Sequence, residues 1–65
     1  MRYNGKAIRE QQKVTQTELS QRSGVSRATI WALENGKSES TTTKTLTNIA
    51  NVLGCEMDEL IDVND

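Results

Sequence analysis

The sequence has no proline, no histidine and no phenylalanine, and it carries one cysteine, one tryptophan and one tyrosine among 65 residues. Each shortage excludes something. Without proline, nothing forbids helix along most of the length, and only four glycines loosen it. Without phenylalanine the core must be aliphatic, with Ile8, Val14, Leu19, Val25, Ile30, Leu33, Leu46, Ile49, Val52, Leu53, Met57, Leu60 and Ile61 as its candidates. With no histidine and Cys55 alone, a zinc site lacks ligands and an internal disulfide is impossible, so no metal and no cofactor are expected. A reducing, cytoplasmic setting suits the lone thiol, which reads as an apolar filler after Gly54. No run approaches the roughly 20 apolar residues of a membrane span, and no basic-then-apolar leader opens the chain. An enzyme is not expected. Serines and glutamates occur without a base and its orienting partner, and no glycine-rich phosphate loop is present.

What is there fits one small all-α domain over residues 1–65. A chain of this length buries only about 60% of its unfolded surface and has no room for both a core and a deep cleft. Its net charge is −1, but the charges are segregated. Residues 1–44 hold all eight bases and four acids, a net +4, whereas residues 45–65 hold five acids and no base, a net −5. Such a split suits a charged partner on one side. The plainer reading is a solubilising acidic end, with Asp58 and Glu59 favouring the start of a last helix through its dipole.

Five short helices can be placed, and no alternating strand pattern of useful length. The first spans about Gly5 to Gln12, with Asn4 as cap and Tyr3 and Ile8 at the two positions of a hydrophobic staple. In the second, "TQTE" at residues 15–18 is a capping box pairing Thr15 with Glu18, and Gly24 stops the helix. The third starts after Ser26, an N-cap, runs to Glu34, and ends at Asn35–Gly36. A polar run, "KSESTTT", follows. The fourth places Leu46, Ile49, Ala50 and Leu53 on one face, and Gly54 closes it. The fifth is one or two turns around Met57, Leu60 and Ile61, and the last three or four residues fray.

The second and third helices, about residues 16–34, meet across "SGVS" with a glycine at the bend. This is a helix-turn-helix arrangement, whose second helix enters the major groove of DNA. Leu19, Val25, Ile30 and Leu33 must pack the pair together, and Ser20 must be small where the helices approach. At about 100° per residue, Ile30 and Leu33 point inward while Arg27, Ala28, Trp31 and Ala32 share an outward arc. Arginine can grip guanine O6 and N7, and alanine can meet a thymine methyl. Trp31 can pack on sugar, on a methyl or on a partner side chain. Gln16, Thr29, Asn35 and Lys37 surround that arc as candidate phosphate contacts, which fix register without reading sequence. A surface helix with no partner would leave Trp31 exposed for no structural reason.

"VTQTELSQRSGVSRATIWALENGK" resembles the Cro/C-type helix-turn-helix family of phage repressors and xenobiotic-response-element regulators. The similarity continues through "KTLTNIANVLGCEMDELI" and covers about residues 4–62. It implies a compact five-helix, lambda-repressor-like domain, with C-terminal helices over about 43–62. It puts Gln16, Arg27, Ala28 and Ala32 at DNA-facing positions and Asn35 at a phosphate-facing one. It also places Arg9 and Glu34 where the family has an ion pair tying the first helix to the recognition helix; the plain alternative is two solvated charges. Five positions depart from the pattern. Ser23 stands where an aliphatic residue is usual, which implies looser packing, and Ser20 replaces alanine. Glu39, Ser40 and Thr41 stand where relatives often place basic residues and proline, which weakens the case for phosphate binding by that loop.

The expectation is therefore a sequence-specific transcriptional regulator, a repressor, in a bacterial or phage-infected cell. Its partner is double-stranded DNA with a palindromic site, bound as a homodimer. With nothing beyond the domain to join two copies, the dimer surface must be the last helix, the turn from Gly54 to Met57 or the loop after Gly36, the C-terminal end being favoured. The competing expectation is a protein-binding module of the same fold, an antitoxin or adaptor, anchored by Trp31.

Overall fold

The computed structural model describes residues 2–37 and 41–62. The expected loop positions Glu39 and Ser40, and the expected fraying of residues 63–65, lie outside them. In chain order the elements are β1 (Arg2–Tyr3), α1 (Gly5–Gln11), α2 (Gln16–Ser23), α3 (Arg27–Glu34), α4 (Thr43–Leu53), α5 (Met57–Leu60) and β2 (Ile61–Asp62). The architecture is all-α, as the helical periodicity predicts, with α2 packed on α3 and α4, and α4 on α1 and α5.

Local chemistry explains most helix ends. Thr15, Ser26 and Thr42 each take extended backbone and accept the N–H three residues on, from Glu18, Thr29 and Thr45 at 3.0, 3.2 and 3.1 Å. Such a cap satisfies one of the four orphan donors of a first turn. The expected capping box at Thr15 is only half formed, because Glu18 lies toward Arg22, one turn on, at 3.5 Å. A full box occurs instead at α5, where Glu56 and Glu59 bond reciprocally. Gly24 and Gly54 end α2 and α4 at φ of 75° and 68°, the left-handed region where a Cβ is disfavoured.

Two expectations fail at the chain's ends. Short strands do form. Arg2–Tyr3 and Ile61–Asp62 pair antiparallel, Tyr3 opposite Ile61, so α5 stops at Leu60 and Ile61 belongs to a strand. Two residues are too few for a period of two to be visible in sequence. Asn4 makes no side-chain cap for α1. Its backbone N–H donates to the Leu60 carbonyl at 2.8 Å and its side-chain Nδ2 to the Glu59 carbonyl at 3.5 Å, so the side chain is turned to α5 and its Oδ1 is not presented to the first turn of α1.

The core consists of Val14, Leu19, Val25, Ile30, Leu33, Leu46, Ile49, Ala50, Leu53 and Leu60. Tyr3, Ile8, Val52, Cys55, Met57 and Ile61 pack around it half-buried. Ser23 is buried where an aliphatic residue was the usual choice, and its hydroxyl accepts the Val25 N–H at 3.2 Å. A buried hydroxyl with a partner avoids the cost of an unsatisfied one and pins the bend between α2 and α3.

Candidate nucleic-acid interface

Ile30, fully buried, and Leu33 anchor α3 to the core. One step round the helix from Ile30, Trp31 is 50% exposed, the one large apolar side chain so exposed among the described residues. Arg27 and Ala28 are exposed beside it and Ala32 is half-buried. The Arg27, Ala28 and Trp31 part of the outward arc read from the sequence thus lies on the surface, whereas Ala32 is partly covered.

The orientation of α3 is fixed by charge as well as by packing. Arg9 of α1 is buried and meets Glu34, the last residue of α3, in a fork: Nε to Oε2 at 2.8 Å and Nη2 to Oε1 at 3.0 Å. Its Nη1 donates to the Val14 carbonyl at 2.8 Å. That bond closes a turn in which Lys13 holds φ of 60°, a left-handed backbone uncommon outside glycine. Gln16 Nε2, from the start of α2, adds a third donor to Glu34 at 2.9 Å. Burial pushes the Glu34 carboxyl up, but the hydrogen bonds from Arg9 and Gln16 and the Arg9 charge outweigh it and hold the group below its ordinary value. The same hydrogen bond raises the pKa of Arg9. One carboxylate therefore joins α1, α2 and α3, with side-chain exposures of 10% for Arg9 and 2% for Glu34, far from two solvated charges.

The candidate phosphate contacts differ in how free they are. Lys37 is exposed just beyond α3. Gln16 has one amide N–H left after its bond to Glu34. The Asn35 amide folds back onto the Trp31 carbonyl at 2.8 Å, capping the end of α3. The half-buried Thr29 shares a 2.9 Å hydrogen bond with Ser26 Oγ. The tie between Gln16 and Glu34 was missed in sequence. Its available signal is spacing, since Gln16 lies three residues before the buried Leu19, on the same face of α2.

Tyr3 packs half-buried against the core. Its ring lies against Gly5, where a Cβ would collide with the ring and hydroxyl. The hydroxyl is buried without a hydrogen bond, and burial, with Glu34 nearby, pushes its pKa up to about 12.

A family model described as helix-turn-helix matches residues 6–60. No curated protein matches the sequence. With its bend, its packed helix pair and this match across most of its length, the chain belongs to the Cro/C1-type helix-turn-helix family, a family of DNA-binding transcription regulators and not of enzymes.

Proposed function

We propose that this chain is a sequence-specific repressor that binds a palindromic operator as a homodimer in the cytoplasm, with α3 in the major groove. The observation that carries the reading is the bare flank of α3: Arg27, Ala28 and half-exposed Trp31, held out by a helix whose other side is locked by Ile30, Leu33 and Glu34. Arg27, Ala28, Trp31 and Ala32 meet base edges. Lys37 meets phosphate, joined by the remaining donors of Gln16, Thr29 and Asn35. Backbone N–H groups at the start of α2 add to the anion site.

One short helix reads too few base pairs to specify a site, which favours two copies on half-sites about 34 Å apart. In this reading the two copies pair through the C-terminal end, where an open hollow of about 370 Å3 is lined by Glu56, Met57, Asp58 and Ile61. The acidic side chains of Glu56, Asp58, Glu59 and Asp62 then lie away from the duplex, and their repulsion from phosphate helps orient the complex.

Selection of bound sites from a random duplex pool tests specificity, symmetry and half-site spacing together. Arg27→Ala is expected to relax preference at one base pair, and Lys37→Ala to weaken all sequences alike and shallow the salt slope by about one unit. Uniform loss from Arg27→Ala would remove that side chain from base readout. The exposed indole also favours a second reading, a protein-binding module with Trp31 as its anchor. DNA affinity falls steeply with salt through counterion release, whereas an apolar protein contact barely responds.

A further inference from the structure

We propose that each half-site is read as one guanine followed, about two base steps away, by thymine methyl groups. The inference rests on the DNA-binding reading above and specifies what the bare flank of α3 recognises.

The donors and acceptors left over around α3 decide what it can read. Around α3 the Asn35 amide spends one N–H on the Trp31 carbonyl, the Thr29 hydroxyl accepts from Ser26, and the Gln16 amide spends one N–H on Glu34, so each keeps a single donor, enough for a phosphate. Glu34 itself accepts three hydrogen bonds. Of the four outward side chains at positions 27, 28, 31 and 32, only Arg27 can form a bidentate pair with a base. It is exposed, and no hydrogen bond or ion pair holds it within the described residues.

The base edges then sort themselves. Guanine presents two acceptors, N7 and O6, to a guanidinium fork. Adenine is read by an Asn or Gln amide and cytosine by a carboxylate, and this flank carries neither. Thymine presents a methyl group, and Ala28, Ala32 and Trp31 are apolar surfaces that can cover one. The indole N–H is a single donor and distinguishes bases poorly on its own. Arg27 and Trp31 lie four residues apart, about 6 Å along the axis. A base step is about 3.4 Å, so for a helix lying along the groove the methyl site falls about two steps from the guanine.

The test uses the unaltered protein and the best duplex from the random pool, with single bases replaced. Uracil lacks only the methyl of thymine, and 5-bromouracil restores the bulk. At the read position uracil is expected to weaken binding about fourfold per methyl lost, and 5-bromouracil to recover it. Replacing the guanine by 7-deazaguanine, which lacks the N7 acceptor, is expected to cost about tenfold. In Trp31→Ala, checked for folding by its circular dichroism, the uracil penalty at the distal thymine is expected to vanish. A duplex that is bound selectively but indifferent to uracil at every thymine overturns methyl readout and leaves DNA binding intact. A uracil penalty that persists unchanged in Trp31→Ala removes the indole from it. If no duplex is bound with selectivity, the DNA-binding reading falls first and this one with it.

Discussion

Helices α3 and α4 are built to one plan on the inside and to two plans on the outside. Each begins with a hydroxyl residue whose Oγ accepts the N–H three residues on and bonds a threonine hydroxyl there: Ser26 with Thr29, Thr42 with Thr45. Each buries an aliphatic stripe, Ile30 and Leu33 in one, Leu46, Ile49, Ala50 and Leu53 in the other. On the outer flank, α4 shows Thr43, Lys44, Thr47 and Asn51, the polar surface expected of a helix that meets only water. The outer flank of α3 shows Trp31, Ala28 and Arg27. The core needs neither of the first two, since Ile30 and Leu33 already fill the inner side. One stripe of α3 is thus accounted for by the protein's own core, and the other is what the proposed DNA contact would use.

The two helices differ most at the ion pair, which α3 has and, among the described residues, α4 lacks. The end of α4 is tied to the rest by a neutral contact, Gln12 Nε2 to the Leu53 carbonyl at 2.6 Å. Removing one member of a buried pair leaves the other uncompensated, so Arg9→Ala is expected to cost about 4 kcal/mol, read by urea unfolding. Gln12→Ala removes a neutral bond and is expected to cost about 1 kcal/mol. Acid tests the same pair. The folded-state pKa of Glu34 lies below the ordinary 4.5, so its stabilising contribution is full above that value and is lost as pH falls through the folded pKa. The gap in stability between the wild type and Arg9→Ala is therefore expected to narrow as pH falls below about 4.5. A gap that stays constant would mean the two charges are not coupled.

Next in size is the contrast between neighbours on α3. Ile30 is fully buried and Ile30→Ala is expected to cost about 3 kcal/mol, the same order as Ile49→Ala in α4. Trp31→Ala is expected to cost less than about 1 kcal/mol of stability, as a half-exposed side chain does, while reducing DNA affinity. A melting temperature lowered by Trp31→Ala as much as by Ile30→Ala would assign the indole to the fold and erase the distinction between the two flanks.

These contrasts also mark what a sequence can carry. Helix periodicity is a local property, and the inward positions of α3 and α4 follow from 3.6 residues per turn and a hydroxyl cap. The outward place of Trp31 follows from the same geometry. The pairing of Tyr3 with Ile61 joins residues at opposite ends of the chain and leaves no local pattern. The failure of Asn4 to cap α1 has the same cause, because the Glu59 carbonyl that its side-chain amide donates to is remote in sequence. At the candidate site, the exposure of Arg27 and Trp31 was legible. The sharing of Glu34 between Arg9 and Gln16 was legible only as a family ion pair, since the third donor arrives from another helix.

The smallest expected effect sharpens the comparison most, because the two helices share the motif it alters. Ser26→Ala and Thr42→Ala each remove one cap acceptor and are each expected to cost about 1 kcal/mol, read by urea unfolding. In α4 nothing further should follow, since Thr42 caps a helix whose outer face is polar and unassigned. In α3 the capped turn carries Arg27 and Ala28, so fraying it would disperse the guanidinium that the proposed complex needs in one geometry. Ser26→Ala is therefore expected to lower affinity for the preferred duplex more than for an unrelated one, and Thr42→Ala to leave that ratio unchanged. Ser26→Asp offers a separate check. Aspartate caps as well as serine, so stability should return, but a new anion next to the groove should weaken binding to every duplex. If Ser26→Ala and Thr42→Ala shift the ratio equally, the first turn of α3 has no special role in presenting Arg27, and the two helices differ less than their outer flanks suggest.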